Sequence, residues 1–204
     1  MRNEPVTAAD LEAARDRTVP DVLPGPGDPP ARVLFCGINP GLASAATGYH
    51  FARPGNRFWP VLHRSGFTDR QLRPDEQALL PALGLGITNV AHRASARADE
   101  LTAAELVAGG QRLRELVGDL RPRWLAVVGI TAYRIAFAEP RAVIGRQATR
   151  LGATRVWTLP NPSGLNAHWP LSAMAAEFAR LRVAASDEAE QRPASSRGAS
   201  TTPR

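Results

Sequence analysis

Short runs of apolar residues recur along the middle of the chain, and they predict buried β-strands. The two clearest runs, at positions 33–38 and 124–130, are apolar almost without interruption, and shorter ones lie at 86–90 and 156–159. A strand in which apolar and polar residues do not alternate is typical of a sheet that is covered on both faces. The pattern therefore predicts a central sheet between two layers.

The segments between these runs have apolar residues at helical spacing. Thr102 and Glu105 form a capping box, Pro170 suits the first turn of a last helix, and a further helix begins near Asn56. The predicted apolar stripes are Leu106, Leu113, Leu116, Val117 and Leu120; Phe58, Val61 and Leu62; and Leu171, Met174, Phe178 and Leu181. Strands that alternate with helices predict a three-layer α/β/α fold with a mainly parallel central sheet. In such folds the ligand site lies beyond the carboxyl ends of the strands.

Composition sets the limits of the folded domain. Residues 19–30 hold five prolines and two glycines, which prevent a regular element, so they form either a linker or a segment that follows the surface. A short helix capped by Thr7 is predicted before them, over residues 7–16. From residue 184 the chain has no large apolar side chain. We expect an N-terminal extension at 1–30, one domain at 31–183 and a disordered tail at 184–204.

The net charge is positive and comes entirely from arginine. The 204 residues include 25 Lys or Arg against 19 Asp or Glu, a formal charge of +6, and none of the 25 is Lys. The guanidinium group stays charged and its fork matches phosphate oxygens, which suits contact with nucleic acid. A general replacement of Lys by Arg explains the same composition, so charge alone does not identify the partner.

The cysteine and histidine content argues against a metal or a cofactor. Cys36 is the one cysteine, so neither an intramolecular disulfide nor an all-cysteine iron–sulfur or zinc site can form. The four histidines are scattered, without the spacing of a metal motif. No apolar run reaches the roughly 20 residues that cross a bilayer, and the start of the chain lacks an apolar signal core. We expect a cytoplasmic monomer with no metal, no cofactor and no membrane contact.

A polar residue follows the first predicted strand directly. Asn39 stands between Ile38 and Pro40, and Gly41 comes next. Pro40 restricts the backbone of Asn39, and Gly41 accepts conformations that other residues resist, so the turn presents Asn39 at the carboxyl end of the strand. Asn-Pro-Gly is also an ordinary turn sequence, and on spacing alone both interpretations stay open.

Aromatic and arginine residues interleave in the segment 47–59, as expected where bases stack and phosphates bind. Phe58 and Trp59 are predicted to be core residues of the following helix, whereas Tyr49 and Phe51 precede it in a loop. The loop after the last strand, 159–169, holds small and polar residues around Leu165. Leu165 is either a wedge that inserts between bases or an apolar residue that packs under its own loop.

Two strings together carry a resemblance to a known family. GINPGLASAATGYHFARPGNRFW (37–59) follows the first predicted strand, and LPNPSGL (159–165) includes the end of the last one. In this order they closely resemble the mismatch-specific uracil-DNA glycosylases, which group with the thymine-DNA glycosylases in the uracil-DNA glycosylase superfamily. The resemblance covers residues 31–183, with the middle segment GITNVAHRASARADEL, and it implies a uracil-DNA glycosylase-like fold.

The resemblance implies a base pocket after the first strand. Asn39 matches the catalytic Asn of the family, which positions the water that attacks C1′ of the sugar. Ile38 would border the base, Ser44 matches a pocket serine, and Phe51 matches the aromatic residue that stacks on the flipped uracil. Asn89 stands where some relatives have Lys and the thymine-type ones have Asn, and its amide can both donate to and accept from a base edge.

The resemblance also implies a DNA insertion loop, formed by Asn161, Ser163, Gly164 and Leu165. Leu165 would fill the space left by the extruded base, and backbone groups beside it would contact the opposite guanine. The sequence departs from relatives at Ala167, which is Arg in some of them, and at residues 49–50, where Tyr-His replaces Phe-Pro.

The implied reaction is hydrolysis of the N-glycosidic bond of uracil opposite guanine in double-stranded DNA, with thymine and ethenocytosine as further candidates. Glycosylases that also nick the strand need an amine for a Schiff base, and the sequence has no lysine, so we expect a monofunctional enzyme that leaves an abasic site. Asp in place of Asn39 is expected to drive the step harder. The alternatives are a general uracil-DNA glycosylase of another branch and a non-catalytic DNA-damage-binding protein on the same fold.

Overall fold

The computed structural model describes residues 6–164 and 166–190, and in them a five-stranded sheet forms the middle layer. Its strands are β1 (Val33–Gly37), β2 (Leu85–Asn89), β3 (Trp124–Val128), β4 (Gly145–Leu151) and β5 (Thr154–Leu159), in the spatial order β2-β1-β3-β5-β4. Strands β2, β1, β3 and β5 run parallel, and β4 pairs with β5 in the antiparallel direction. The predicted mainly parallel sheet is confirmed.

Helices cover both faces of the sheet, as two separate hydrophobic clusters demonstrate. The helices are α1 (Ala8–Ala13), α2 (Leu42–Thr47), α3 (Phe58–Arg64), α4 (Ala103–Leu120), α5 (Ile130–Ala136) and α6 (Leu171–Glu190). On one face, Phe58 of α3 and Phe178 of α6 pack against Phe35 of β1. On the other, α4 and α5 place Leu113 and Tyr133 in a second cluster. The three-layer α/β/α arrangement is therefore confirmed.

The limits of several elements differ from the predicted ones. The strand predicted over 124–130 ends at Val128, because Gly129 turns the chain with φ of 136° and Ile130 begins α5. Strand β4 was not predicted, since its sequence GRQATRL contains little apolar surface. It is an edge strand whose burial alternates along its length, so one side chain in two faces inward.

The N-terminal segment packs against the domain. The helix predicted over 7–16 begins after Thr7, whose side chain accepts a hydrogen bond from the backbone N–H of Asp10, but it ends at Ala13. Val22 then pairs with Ile87 of β2 through two backbone hydrogen bonds of 2.9 and 2.7 Å. Of the two interpretations of residues 19–30, the segment that follows the surface is the correct one.

Helix α6 continues past the predicted end of the domain. It reaches Glu190, so a disordered tail that begins at 184 is wrong for residues 184–190, and residues 191–204 lie outside the described residues. The reason is that the apolar stripe of Met174, Phe178 and Leu181 continues with Ala185, which is small but buried in the core. No helix in the described part of the chain is long and apolar enough to cross a membrane.

Candidate active site

A cleft of about 920 Å³ lies at the edge of the sheet where the parallel strands end. Among the residues that line it are seven of those predicted from the sequence: Ile38, Asn39, Ser44, Phe51, Asn89, Asn161 and Ser163. Gly164 does not line the cleft; it lies against the backbone of Gly55. Leu165 lies outside the described residues. The structure thus brings together the base-pocket residues and part of the insertion loop.

The amide of Asn39 is held at its nitrogen end. Its Nδ2 donates toward the carbonyl oxygens of Pro40 (3.2 Å) and Arg93 (3.0 Å) and toward Oγ of Ser95 (2.8 Å). Since all three partners lie around the nitrogen, Oδ1 is the end of the amide that remains for a ligand. Asn39 lines the cleft and is only partly buried, so this oxygen can accept a hydrogen bond there.

Ser95 was missed by the sequence analysis. Its side chain is 1% exposed, and its hydroxyl donates to the carbonyl oxygen of Arg97 at 2.6 Å, which leaves Oγ to accept from Asn39. The segment that carries Ser95 is braced by the guanidinium of Arg93, which is ion-paired with Glu105 and Asp16. No sequence signal marks Ser95, because it lies 56 positions from Asn39 and meets it only in the folded chain.

Phe51 lies on one wall of the cleft in a constrained loop. Its ring stacks on Phe58 with 4.0 Å between centroids, and its backbone has a positive φ of 54°, which is unfavourable for a bulky residue. Ser44, which is 4% exposed, accepts a hydrogen bond from the backbone N–H of Ala52 and so fixes the chain next to Phe51. The predictions that Phe58 and Trp59 are core residues are confirmed, since they are 0% and 3% exposed.

Asn89 also lines the cleft and is 3% exposed. Its Nδ2 lies 3.3 Å from Nδ1 of His50, and Nε2 of His50 lies 2.9 Å from the carbonyl oxygen of Pro20. Burial lowers the pKa of the His50 ring, against a smaller opposing effect of the Pro20 carbonyl. His50, one of the two positions at which the sequence departs from Phe-Pro of the relatives, is 2% exposed and lines the cleft next to Asn89.

Arg57 is a second residue whose role was missed. The interleaved arginines of this segment were expected to hold phosphates, but the guanidinium of Arg57 turns inward. It donates to the carbonyl oxygens of Ser163 (2.7 Å), Asn166 (2.9 Å) and Trp169 (2.7 Å). Asn161 adds a local turn, because its Oδ1 accepts from the backbone N–H of Ser163. The loop after β5 is therefore braced on both sides of position 165.

The charged side chains among the described residues that line the cleft are Arg53, Arg97 and Asp99. Among the described residues that line it, Asp99 holds the one carboxylate, and this group is ion-paired with Arg97. In the described part of the chain, no three His, Cys, Asp or Glu side chains come together as a metal-binding group. The groups nearest to Asn39 are neutral hydrogen-bonding groups.

The fold and the cleft define an α/β enzyme whose site combines an aromatic platform, a fixed amide oxygen and a second, buried amide. The family model for the uracil DNA glycosylase superfamily matches residues 24–182. The chain therefore belongs to the uracil DNA glycosylase superfamily, and its role is that of a DNA glycosylase, a hydrolase of DNA repair with DNA as its partner. Residues 6–23, which include α1 and the Pro20 carbonyl, precede the matched part.

Proposed function

We propose that the protein is a mismatch-specific glycosylase that hydrolyses the N-glycosidic bond of uracil opposite guanine in double-stranded DNA. The observation that carries this proposal is the fixed amide of Asn39, whose nitrogen end is held by three oxygens while its Oδ1 is left for the cleft. We further propose that the enzyme acts as a monomer in the cytoplasm, without a cofactor.

The base must leave the duplex before it is attacked, because a stacked nucleotide cannot reach a cleft. Flipping costs a few kcal/mol and costs least at a mispair, which favours uracil opposite guanine over uracil opposite adenine. The flipped base would stack on the face of Phe51 that Phe58 does not cover. Leu165, carried on the loop that Arg57 braces, would fill the vacated space in the stack.

Asn39 would act by orientation, since a neutral amide is not a strong base. A water that donates one hydrogen to Oδ1 turns its oxygen lone pair toward C1′. As the bond from C1′ to N1 breaks, its electron pair leaves with the base, and the water oxygen bonds to the cationic sugar carbon. The water then loses a proton, which the departing uracil anion or solvent takes up. The products are free uracil and an intact abasic strand.

The proposed enzyme is monofunctional, because strand nicking through a Schiff base needs an amine and the sequence contains no lysine. Thymine and ethenocytosine opposite guanine are further candidate substrates. Asn89 supports a range that includes thymine, since an amide oxygen in the cleft can accept the N–H that uracil and thymine both present. A general uracil-DNA glycosylase of another branch is the alternative that the same cleft leaves open.

One assay separates these possibilities. Duplexes with uracil opposite G, uracil opposite A, thymine opposite G or ethenocytosine opposite G are incubated with the enzyme, and abasic sites are then cleaved with alkali. The proposal predicts fastest excision of uracil opposite G and no adduct on borohydride treatment. Equal rates opposite G and A would assign the general branch, and a trapped covalent adduct would contradict the monofunctional mechanism.

The Asn39→Ala variant tests catalysis against simple binding. Loss of the oriented water should lower excision by about 100-fold or more, while affinity for the duplex changes little. Gln111→Ala is a matched control, because it removes an exposed amide from α4, away from the cleft. Full activity of the Asn39→Ala variant would refute the assignment, and an inactive wild-type protein that still binds mispairs would favour the non-catalytic alternative.

A further inference from the structure

We propose that His50, held by the carbonyl group of Pro20, is a positioning residue that fixes which end of the Asn89 amide faces the base. The fixed orientation would select bases that present an N–H to Asn89, such as uracil and thymine, over cytosine, which presents a bare nitrogen. This inference rests on the proposed function and names the part of the site that discriminates between bases.

The contact with the Pro20 carbonyl determines which nitrogen of the His50 ring carries the proton. A carbonyl oxygen only accepts hydrogen bonds, so the 2.9 Å contact between Nε2 of His50 and the Pro20 carbonyl places a proton on Nε2. His50 is 2% exposed, and its burial disfavours the charged form of the ring. A neutral ring with its proton on Nε2 has a bare Nδ1, which can only accept.

The bare Nδ1 of His50 determines the orientation of the Asn89 amide. Nδ1 of His50 lies 3.3 Å from the Asn89 amide, so the NH₂ end of that amide must face the histidine and Oδ1 must face away from it. Among the described residues, none donates a hydrogen bond to Asn89 Oδ1. Asn89 lines the cleft, so a base is the available donor for this oxygen.

The Oδ1 atom of Asn89 lies near the ring of Phe51. Oδ1 of Asn89 lies above Gly37, where a Cβ atom would be only 2.4 Å from it, and the edge of the Phe51 ring would be 3.3 Å from the same Cβ. Asn89 Oδ1 and the stacking ring thus both lie over the one residue whose lack of a side chain makes room for them. A base that stacks on Phe51 would have an edge near Oδ1.

Protonation of His50 would reverse this arrangement. Nδ1 would then become a donor, and the Asn89 amide would have to turn and present its NH₂ group to the cleft, which suits a cytosine-like edge. The nearby titratable groups are Asp21, which favours the protonated form, and His92, which opposes it together with burial. The other contacts of His50, with Gln77 and Trp59, are uncharged.

Two variants of similar size separate positioning from packing. Gln in place of His50 can donate to the Pro20 carbonyl and accept from Asn89, whereas Phe fills the space with no polar atom. The readout is affinity for duplexes in which 2′-fluorinated deoxyuridine or deoxycytidine stands opposite G, since the fluorine suppresses cleavage. We expect His50→Phe to lose about 10- to 100-fold of the preference for uracil, and His50→Gln to keep it within about threefold. Equal preference in both variants would overturn the proposal, since a packing role favours Phe at least as much as Gln.

Nitrogen NMR of the wild-type protein gives a readout that does not depend on excision. The proposal predicts a neutral His50 ring with the proton on Nε2, and a ring with its proton on Nδ1 overturns it. If the protein excises no base from any duplex, the proposed function fails. The ring tautomer and the uracil preference in binding still decide whether His50 orients Asn89.

Discussion

Exchange of Asn39 for Asp tests whether the site works through a fixed amide. The change keeps the size of the side chain but replaces the NH₂ group, which lies near three oxygen atoms, with a carboxylate oxygen. Two N–H donors are lost, each with a net contribution of about 1 kcal/mol. The ionised oxygen would also face the carbonyl groups of Pro40 and Arg93, which brings the penalty relative to Asn to roughly 3 kcal/mol. A protonated carboxyl keeps one donor, so about 2 kcal/mol of this, or a factor of about 30, acts on the ionisation equilibrium.

Ser95 cannot remove this penalty without a further loss. Its hydroxyl could turn and donate to the new carboxylate, but it would then abandon the carbonyl oxygen of Arg97, which it now contacts at 2.6 Å. The carboxyl group introduced by Asn39→Asp should therefore favour its protonated form, so that its pKa in the folded protein rises. This expectation is opposite to the sequence-based one, in which an Asp at this position drives the step harder.

The sign of the pH dependence follows from the raised pKa. An Asp carboxyl in an unfolded chain titrates near pH 3.9, so below that pH both states are protonated and the variant is closest to the wild type. As the pH rises toward the raised folded pKa, the unfolded state ionises more readily than the folded state. The free energy of unfolding of Asn39→Asp should therefore fall relative to the wild type between about pH 4 and neutral pH, by up to roughly 2 kcal/mol.

Urea unfolding at several pH values and single-turnover excision of uracil opposite G measure the two consequences. Gln111→Glu is the matched control, because it makes the same amide-to-acid change on the exposed side of α4. We expect the control to follow the wild type and Asn39→Asp to excise more slowly at neutral pH. A variant that is as stable as the wild type at pH 8 and excises faster would refute the reasoning that the NH₂ end of Asn39 is the end that is held.

Two further predictions concern the groups that brace the cleft. Arg57→Lys should lower single-turnover excision by about 10-fold or more, because one ammonium cannot serve three carbonyl oxygens as the guanidinium does, and Arg64→Lys on the exposed side of α3 is its control. Glu105 has a pKa lowered to about 2 from an ordinary 4.5, by hydrogen bonds from Arg93 first and from Thr102 next. A lowered folded pKa stabilises the protein above the unfolded value, so wild-type Tm should fall more steeply than that of Glu105→Gln as pH decreases from about 4.5 toward 2.

Each of these two predictions has an outcome that would contradict it. Unchanged excision by Arg57→Lys would mean that the loop after β5 keeps its shape without the guanidinium. Parallel Tm curves for the wild type and Glu105→Gln would mean that the ion pair with Arg93 does not form in solution.

The sequence predicted the parts of the fold that local pattern determines. Strands β1 and β3 are continuous apolar runs, and α4 begins at the predicted Thr102 cap. Helix α2 was missed because it is only six residues long and, after Leu42, its apolar positions are alanines, which give a weak pattern. The carboxyl ends of the strands were placed correctly, and so Asn39 after β1 and Asn89 at the end of β2 line one cleft together with Phe51.

What the sequence could not predict depends on chain segments that meet only in the folded state. Ser95 reaches Asn39 across 56 positions, and Pro20 reaches His50 across 30. Hydrophobic periodicity describes one segment at a time, so it does not predict either of these contacts between distant segments. The Pro20 contact also comes from the segment that precedes the family match, where the prolines indicated only an irregular path.

The side-chain amides of Asn39 and Asn89 are oriented in the same way, and this limits the reactions that the cleft can support. Asn39 is held at its nitrogen by oxygens, and Asn89 faces His50 with its nitrogen, so both would offer an oxygen acceptor to the ligand. Such a pocket can orient a water and receive a base N–H, but these oxygens give no charge stabilisation to a departing anion. Uracil carries the charge of its N1 anion on two carbonyl groups and leaves more readily than cytosine. In the proposed function, two acceptor oxygens in the cleft would therefore favour uracil in both recognition and chemistry.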